Sequence, residues 1–130
     1  MKQPTKIPLS NTAAAGDAAA VTAQGRAYRS IPMDEAVTVM AKETDYILLD
    51  VRRPDEFAEG HIPGAINLPN ESIGAADIPA LPRRDQLVMV YCRSGRRSKE
   101  AAEKLAGLGY TNIVEFGGIL DWKGSVTPSR

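Results

Sequence analysis

The chain has 130 residues, 43% hydrophobic and 5% aromatic, which is enough for one domain with a mainly aliphatic core. Its 16 basic and 16 acidic residues give a formal net charge of zero, so its overall charge indicates neither a nucleic-acid partner nor an anionic membrane. A single cysteine excludes an internal disulfide, and together with a single histidine it falls short of a structural zinc site, so we expect no metal and no cofactor.

Residues 1–26 are rich in Ala, Thr, Gly and Pro and have no sustained apolar period, which is typical of a flexible leader or linker. Within them, Ala13–Ala23 predicts a weak helix, because alanine favours helix. We find neither a signal-peptide h-region nor a run of about 18 apolar residues, so no secretory signal or membrane span is expected. The default location is the cytoplasm; an exported or lipid-anchored form is the alternative, if a signal segment has been removed.

From Tyr28 onward, helix and strand patterns alternate. The predicted helices and helical turns are MDEAVTVMAKE, RPDEFAEG, a short piece of NESIGAADIPALPRRDQ, SKEAAEKLAGLGY and the end of GGILDW. The predicted strands are YILLDV, GAINLP, LVMVYC and NIVEF. This alternation predicts an α/β fold with a mainly parallel sheet of about five strands flanked by helices. We assign the domain to residues 27–124, followed by a short tail, 125–130.

Cys92 ends the apolar strand LVMVYC and directly precedes a turn into a helix. Arg93, Arg96 and Arg97 follow it, and Gly95 permits a positive φ in the turn. Converging N–H groups, the helix N-terminus and the arginines are expected to lower the pKa of the thiol and to bind an anionic substrate. The pattern therefore predicts a nucleophilic thiolate at the solvent-accessible lip of the sheet.

Two simpler interpretations apply to the same residues. A single cysteine at the end of an apolar strand can be an inert, buried, small hydrophobic residue. A run of cations can be a solvated charged face. The placement of three arginines around Cys92 favours chemistry over both.

Three segments resemble, in order and spacing, the signature segments of the rhodanese (thiosulfate sulfurtransferase) family: YILLDVRRPDEFAEGHIPGAINLP, VYCRSGRRSKEAAEKLAGLGYTNI and EFGGILDW. The resemblance covers about Tyr28 to Lys123. It implies the three-layer rhodanese-like fold and an active-site loop at the cysteine. The implied loop comprises Cys92, Arg93, Ser94, Gly95, Arg96 and Arg97, followed by Ser98.

The resemblance also implies a chemistry for this loop. The Cys92 thiolate attacks the outer sulfur of thiosulfate, sulfite leaves, and the resulting persulfide passes its sulfur to cyanide or a thiol. Loop N–H groups would hold the persulfide sulfur, and Arg93, Arg96 and Arg97 would bind the sulfonate. Many family members have an uncharged residue at the position of Arg96, so this extra charge indicates an anionic donor or acceptor.

Other functions stay open beside this one. A sulfur-carrier or binding module, loaded by a partner protein, is the main alternative, and a redox or sulfur-relay protein would then be a partner. Cysteine phosphatases carry the arginine six positions after the cysteine, whereas here Arg97 is at five and Ser98 at six, which disfavours phosphatases; arsenate reductases are disfavoured too. An inactive regulatory module usually lacks the cysteine. We expect a monomer.

Asp50 and Arg52 point to the same side of their strand by period-two alternation. The resemblance implies that they brace the loop region, and a surface ion pair is the alternative. His61 is the only histidine and lies in the turn GHIPG, where bonding to nearby backbone is expected rather than catalysis as a base.

The segment EFGGILDW supplies the remaining candidates. Phe116 and Trp122 are expected to fill the core or to cover the sheet edge. Gly117 and Gly118 are expected to form a tight backbone turn close to the loop.

Overall fold

The computed structural model describes residues 27–74 and 78–128, together with the backbone of residues 18–21. In this part of the chain a six-stranded sheet has the strand order β1-β2-β6-β5-β3-β4. The strands are β1 (Ala18–Val21), β2 (Ala27–Ser30), β3 (Tyr46–Asp50), β4 (Ile66–Asn67), β5 (Leu87–Cys92) and β6 (Ile113–Gly118). The helices are α1 (Met33–Lys42), α2 (Pro54–Glu59) and α3 (Arg96–Gly107), with single 3-10 turns at Asn70–Ser72 and Ile119–Asp121.

Five of these strands, β2 to β6, run parallel, and β1 pairs antiparallel with β2 at the edge. The prediction of a mainly parallel sheet of about five strands flanked by helices is therefore confirmed. Parallel strands need crossover connections: α1, α2 and α3 lie in three of them, and the connection from β4 to β5 contains the 3-10 turn Asn70–Ser72. The carboxyl ends of the parallel strands consequently meet at one edge of the sheet, where sites of such folds lie.

Strand β5 lies between β6 and β3, and all six of its residues are buried. Alternate residues face opposite sides: Val88, Val90 and Cys92 belong to one core cluster with Leu105 of α3. Leu87, Met89 and Tyr91 belong to the other, with Ala36 of α1. Burial on both faces explains the continuous apolar run in this strand and gives the three layers, helix, sheet and helix.

Helix α3 buries a face of small and apolar residues, including Ala101, Ala102 and Leu105, as its 3.6-residue period predicts. It begins at Arg96, earlier than the expected start at Ser98. Gly95, in the left-handed region at φ 119°, is its N-cap, and Gly95 O already accepts the N–H of Lys99 at 3.2 Å. Arg96 and Arg97 therefore lie in the first helical turn and not in the preceding loop.

The weak helix predicted for Ala13–Ala23 is wrong where the structure describes this run, because Ala18–Val21 is strand β1. Its register pairs Ala18 with Ser30 and Val21 with Ala27. Helix propensity is a weak preference, and the unpaired backbone groups along the outer edge of β2 offer a hydrogen-bonded alternative. The rest of residues 1–26 lies outside the described residues, so the division into leader, domain and tail stays a prediction.

Within the ranges described, no helix is both long enough and apolar enough to cross a membrane.

Candidate active site

Cys92 ends β5 and pairs across the ladder with Gly118 of β6. Its side chain is only 1% exposed, and its Sγ accepts a hydrogen bond from the backbone N–H of Gly95 at 2.9 Å. The expectation of a solvent-accessible sulfur is thus wrong. Cys92 is the last residue of β5. The segment Arg93–Gly95 then turns back toward it, so that the backbone N–H of Gly95 bonds to the sulfur.

The Gly-Gly segment lies against this loop, as expected. A Cβ on Gly118 would lie 1.9 Å from Arg93 O and 2.5 Å from Ser94 N, closer than any side chain allows. The N–H of Leu120 donates to Arg93 O at 3.2 Å. Gly117 has φ 92°, a left-handed conformation that favours glycine. Residue 118 must therefore be glycine for the loop to rest on β6.

A cleft of about 420 Å³ opens beside the loop. Its lining is polar and mostly cationic: Arg53, Glu71, Arg93, Ser94, Arg96 and Arg97. Three of these arginines are the ones predicted from the sequence to bind an anion. Arg53 and Glu71 were missed, because their sequence positions carry no local feature that separates them from ordinary surface charges.

Arg97 lines the cleft but is also paired with a carboxylate, that of Glu56. Its guanidinium donates to both carboxylate oxygens of Glu56 in α2, at 2.7 and 3.1 Å. This bond to Arg97 lowers the pKa of Glu56 from 4.5 to about 2. The bidentate pair fixes the start of α3 against α2, 41 positions away along the chain.

Arg96 is a contrasting case, because its side chain is 75% exposed and pairs with Glu100 one helical turn later, at 3.0 Å. An exposed pair of this kind is weak, so an incoming anion can compete for Arg96 at little cost. The two helical arginines of the loop thus differ: Arg97 is held in a partly buried pair, and Arg96 can be redirected.

Ser98 is fully buried beneath the loop, and its Oγ lies 2.8 Å from Gly95 O and 2.7 Å from Oε1 of Glu115. Sequence reasoning missed Glu115. A carboxylate inside the apolar run NIVEF was the feature that could have identified it, because a charge in a buried strand requires partners.

Asp50 and Arg52 form a buried ion pair, at 2.7 Å between Oδ2 and Nη2, which excludes the surface-pair alternative. Arg52 also donates to Gly60 O at 2.7 Å, at the end of α2. Burial and the charge of Asp50 raise the pKa of Tyr91, whose hydroxyl accepts the N–H of Ile62. The pair joins β3, α2 and β5 beside the site; that it braces the loop region stays a prediction.

His61 stacks on Phe57 with ring centroids 3.7 Å apart, and its Nδ1 lies 2.9 Å from Phe57 O. Its backbone exchanges two hydrogen bonds with Thr127. These contacts agree with the expected structural role. Phe116 is buried in the core and Trp122 packs against it, as expected.

Comparison with known proteins identifies the family and the fold. Residues 33–125 match the family model described as rhodanese-like domain. The chain belongs to the rhodanese-like domain family. The family predicted from the sequence is confirmed.

Relatives and solved structures agree with this family. The chain is 38% identical over 73 residues to thiosulfate sulfurtransferase PspE of Escherichia coli K12, covering 56% of this chain and 70% of that protein. It is 34% identical over 97 residues to thiosulfate sulfurtransferase GlpE of Pseudomonas putida, covering 74% and 86%. A structure described as rhodanese with anions from E. coli superposes with a TM-score of 0.59 at 33% identity, over 65% of this chain and 99% of that one.

Proposed function

We propose that this rhodanese-family protein is a sulfurtransferase that carries sulfur as a persulfide on Cys92, taken from thiosulfate or a similar anionic donor. The acceptor is a thiophile such as cyanide or a thiol. The observation that carries the proposal is the position of Cys92 Sγ, bonded to the Gly95 amide beneath a loop that borders an arginine-lined cleft. The names of the relatives support sulfurtransferase activity in general.

Two displacements complete the reaction. In the first, the thiolate of Cys92 forms a bond to the outer sulfur of thiosulfate while the bond to the sulfonate sulfur breaks, and its electron pair leaves with sulfite. In the second, the acceptor forms a bond to the outer persulfide sulfur. The sulfur–sulfur bond then breaks and returns its electron pair to Cys92 as thiolate. No external oxidant or reductant is required with cyanide, because the product is thiocyanate.

The loop stabilises anionic sulfur without a general base. The Gly95 N–H on Sγ is aimed at the atom that bears negative charge at both ends of the cycle. The N-terminus of α3 begins at the next residue and adds the positive end of its dipole. His61 is engaged by Phe57 and Thr127, in agreement with a mechanism that does not use it as a base.

The charge of the cleft favours binding of an anionic donor. Arg53, Arg93 and Arg96 supply cationic groups around its polar lining. Arg97 is engaged by Glu56, so it is poorly placed to encircle a phosphate as a phosphatase arginine does. Because Cys92 is only 1% exposed, access of the donor to the sulfur requires a movement of the residues that cover it.

Turnover with thiosulfate and cyanide tests the proposal. Wild-type protein should form thiocyanate over many cycles, and mass spectrometry after thiosulfate treatment should show about 32 Da added to the Cys92 peptide and removed by cyanide, as a covalent intermediate requires. Cys92→Ser is the isosteric control and should do neither. A phosphate ester serves as the parallel substrate.

The same assay separates the alternatives. Stoichiometric loading from a protein donor without turnover of thiosulfate would support the carrier module instead. Hydrolysis of the phosphate ester with no sulfur added to Cys92 would overturn the proposal.

A further inference from the structure

Glu115 is a buried carboxylate in β6, 1% exposed, that the chemistry proposed above does not use. Burying a carboxylate is costly unless donors surround it. Its carboxylate oxygens contact three groups near the loop: Ser98 Oγ at 2.7 Å, Gly117 N–H at 3.1 Å and Lys99 Nζ at 3.3 Å. Ser30 Oγ of β2 donates to it as well.

Glu115 lies where the ladder between β5 and β6 becomes irregular. Val90 pairs with Glu115, but the next pair is Cys92 with Gly118, so two residues of β6, Phe116 and Gly117, stand opposite one residue of β5. This is a β-bulge, which bends a strand and re-aims its end. Oε1 of Glu115 accepts the N–H of Gly117, a residue of the bulge. The bulge brings Gly118 opposite Cys92.

The same oxygen ties the bulge to the other side of the loop. Oε1 also accepts a hydrogen bond from Ser98 Oγ, in the first turn of α3. Ser98 Oγ also lies 2.8 Å from Gly95 O. Gly95 is the residue whose N–H bonds to Cys92 Sγ. A chain of contacts therefore runs from Glu115 through Ser98 to Gly95, the residue whose N–H bonds to the sulfur.

We propose that Glu115 is a positioning residue of the sulfur-transfer site. Its carboxylate clamps the β6 bulge to the first turn of α3 and thereby sets the place of the Gly95 amide on Cys92 Sγ. The inference deepens the proposed function and rests on it. Glu115 acts through Ser98 and Gly117 and lies outside the arginine-lined cleft, so it should control the chemical steps and not donor binding.

Glu115→Gln is the direct test, because it keeps the shape of the side chain and replaces the carboxylate, which is bonded to Ser98, Gly117 and Lys99, with a neutral amide that bonds these donors less strongly. A misplacement of reacting groups by a fraction of an ångström should lower kcat for sulfur transfer by about 10- to 100-fold, with KM for thiosulfate changed by less than about threefold. A loss confined to KM would overturn the inference.

A second readout reports on the loop without turnover. In nuclear magnetic resonance spectra, the Gly95 amide should shift in Glu115→Gln and lose about tenfold or more of its hydrogen-exchange protection relative to wild type. The matched control is Gln86→Ala. Gln86 is also buried and hydrogen-bonded, but it precedes β5 at the opposite end from Cys92. This control should lower stability while leaving kcat and the Gly95 amide unchanged.

Ser98→Ala covers the case in which Glu115→Gln does not fold. It removes the bond from Ser98 to Glu115 and leaves the contacts of Glu115 with Gly117 and Lys99 in place, so it should give the same change at Gly95 and the same selective loss of kcat. An unchanged Gly95 amide in the folded variants would overturn the positioning role, whatever the activity. A wild-type protein that acquires no sulfur on Cys92, with Gly95 still perturbed in the variants, would overturn the proposed function alone.

Discussion

Carboxylates hold most of the cations that surround Cys92. Arg97 is paired with Glu56, Arg96 with Glu100 and Lys99 with Glu115. These pairs differ in exposure, and so they differ in what they contribute: buried pairs fix backbone geometry, and exposed pairs leave a cation available to an anion. The paired carboxylates also contribute to the zero net charge of a chain with a strongly cationic cleft.

Glu56→Gln should make the protein less stable at neutral pH by about 1 to 3 kcal/mol, because Arg97 loses a charged bidentate partner. The pKa of Glu56 is about 2 in the folded protein, below its ordinary value of 4.5. A depressed pKa contributes stability that is complete above about pH 4.5 and is lost as pH falls toward 2. The stability difference between wild type and Glu56→Gln should therefore shrink over this range.

Urea unfolding at a series of pH values from 2 to 7 measures this difference. Glu59→Gln, an exposed carboxylate of the same helix, is the matched control and should follow the wild-type curve. A constant gap between Glu56→Gln and wild type at every pH would contradict the expectation.

Asp50→Ala should cost more stability than activity. It leaves Arg52 buried without its carboxylate, which should destabilise the fold by about 3 to 5 kcal/mol. Turnover per folded molecule should fall by less than about tenfold, because the pair is not part of the loop. Thermal unfolding and thiosulfate turnover measure the two effects. Asp55→Ala breaks an ion pair with Arg53 in which both side chains are mostly exposed, and should leave stability close to that of wild type. Unchanged melting with collapsed turnover in Asp50→Ala would contradict us.

At the scale of elements, two neighbours shape the loop: the bulged end of β6 and the start of α3. Gly118 permits Arg93 O to approach β6 at a distance that excludes a side chain. Gly95 allows α3 to begin immediately after the loop. The loop geometry thus depends on backbone contacts between elements more than on the side chains of the loop.

Gly118→Ala should separate the loop from β6, because a Cβ would overlap Arg93 O at 1.9 Å and Arg93 C at 2.2 Å. We expect a loss of stability of about 1 to 3 kcal/mol and a fall in kcat of about 100-fold or more. Gly74→Ala, where no atom of the described residues beyond the chain neighbours lies within 4 Å of the added Cβ, is the control and should be close to neutral. Equal activity of the two variants, measured with thiosulfate and cyanide, would show that the close approach is not required.

The sequence predicts these elements well where the pattern is local. Residues close together in the sequence are enough to predict three features: the apolar run of β5, the helical period of α3 and the turn after Cys92. Contacts between distant residues are not: the engagement of Arg97 by Glu56 joins positions 41 apart, and the partners of Glu115 come from β2, β6 and α3. The depth of Cys92 was missed for the same reason, since its cover depends on how the loop folds back against β6.

At the scale of the whole molecule, β1 extends the sheet beyond the region that matches the family model, residues 33–125. It pairs with β2 alone, by four residue pairs. We therefore expect a variant beginning at Ala27 to fold and to keep kcat within about threefold of wild type, since Cys92 lies two strands further into the sheet than β2.

The shortened variant should nevertheless be less stable and more prone to self-association, because the edge of β2 loses its hydrogen-bonded neighbour. Thermal unfolding and light scattering measure these effects. A shortened protein that is unfolded, or folded and inactive, would show that the domain does not begin at residue 27.

The proposed nucleophile, Cys92, lies on a central strand of the sheet, and this position has a kinetic consequence if Cys92 carries the sulfur as proposed. Cys92 lies on a strand that is hydrogen-bonded on both sides, to β3 and to β6. A sulfur bound to Cys92 would therefore stay at the sheet, and the recipient would have to bind there. On the proposed mechanism, donor and recipient therefore use the same arginine-lined cleft in turn. Each should therefore act as a competitive inhibitor of the other at high concentration, and small anionic recipients should be preferred over cationic ones.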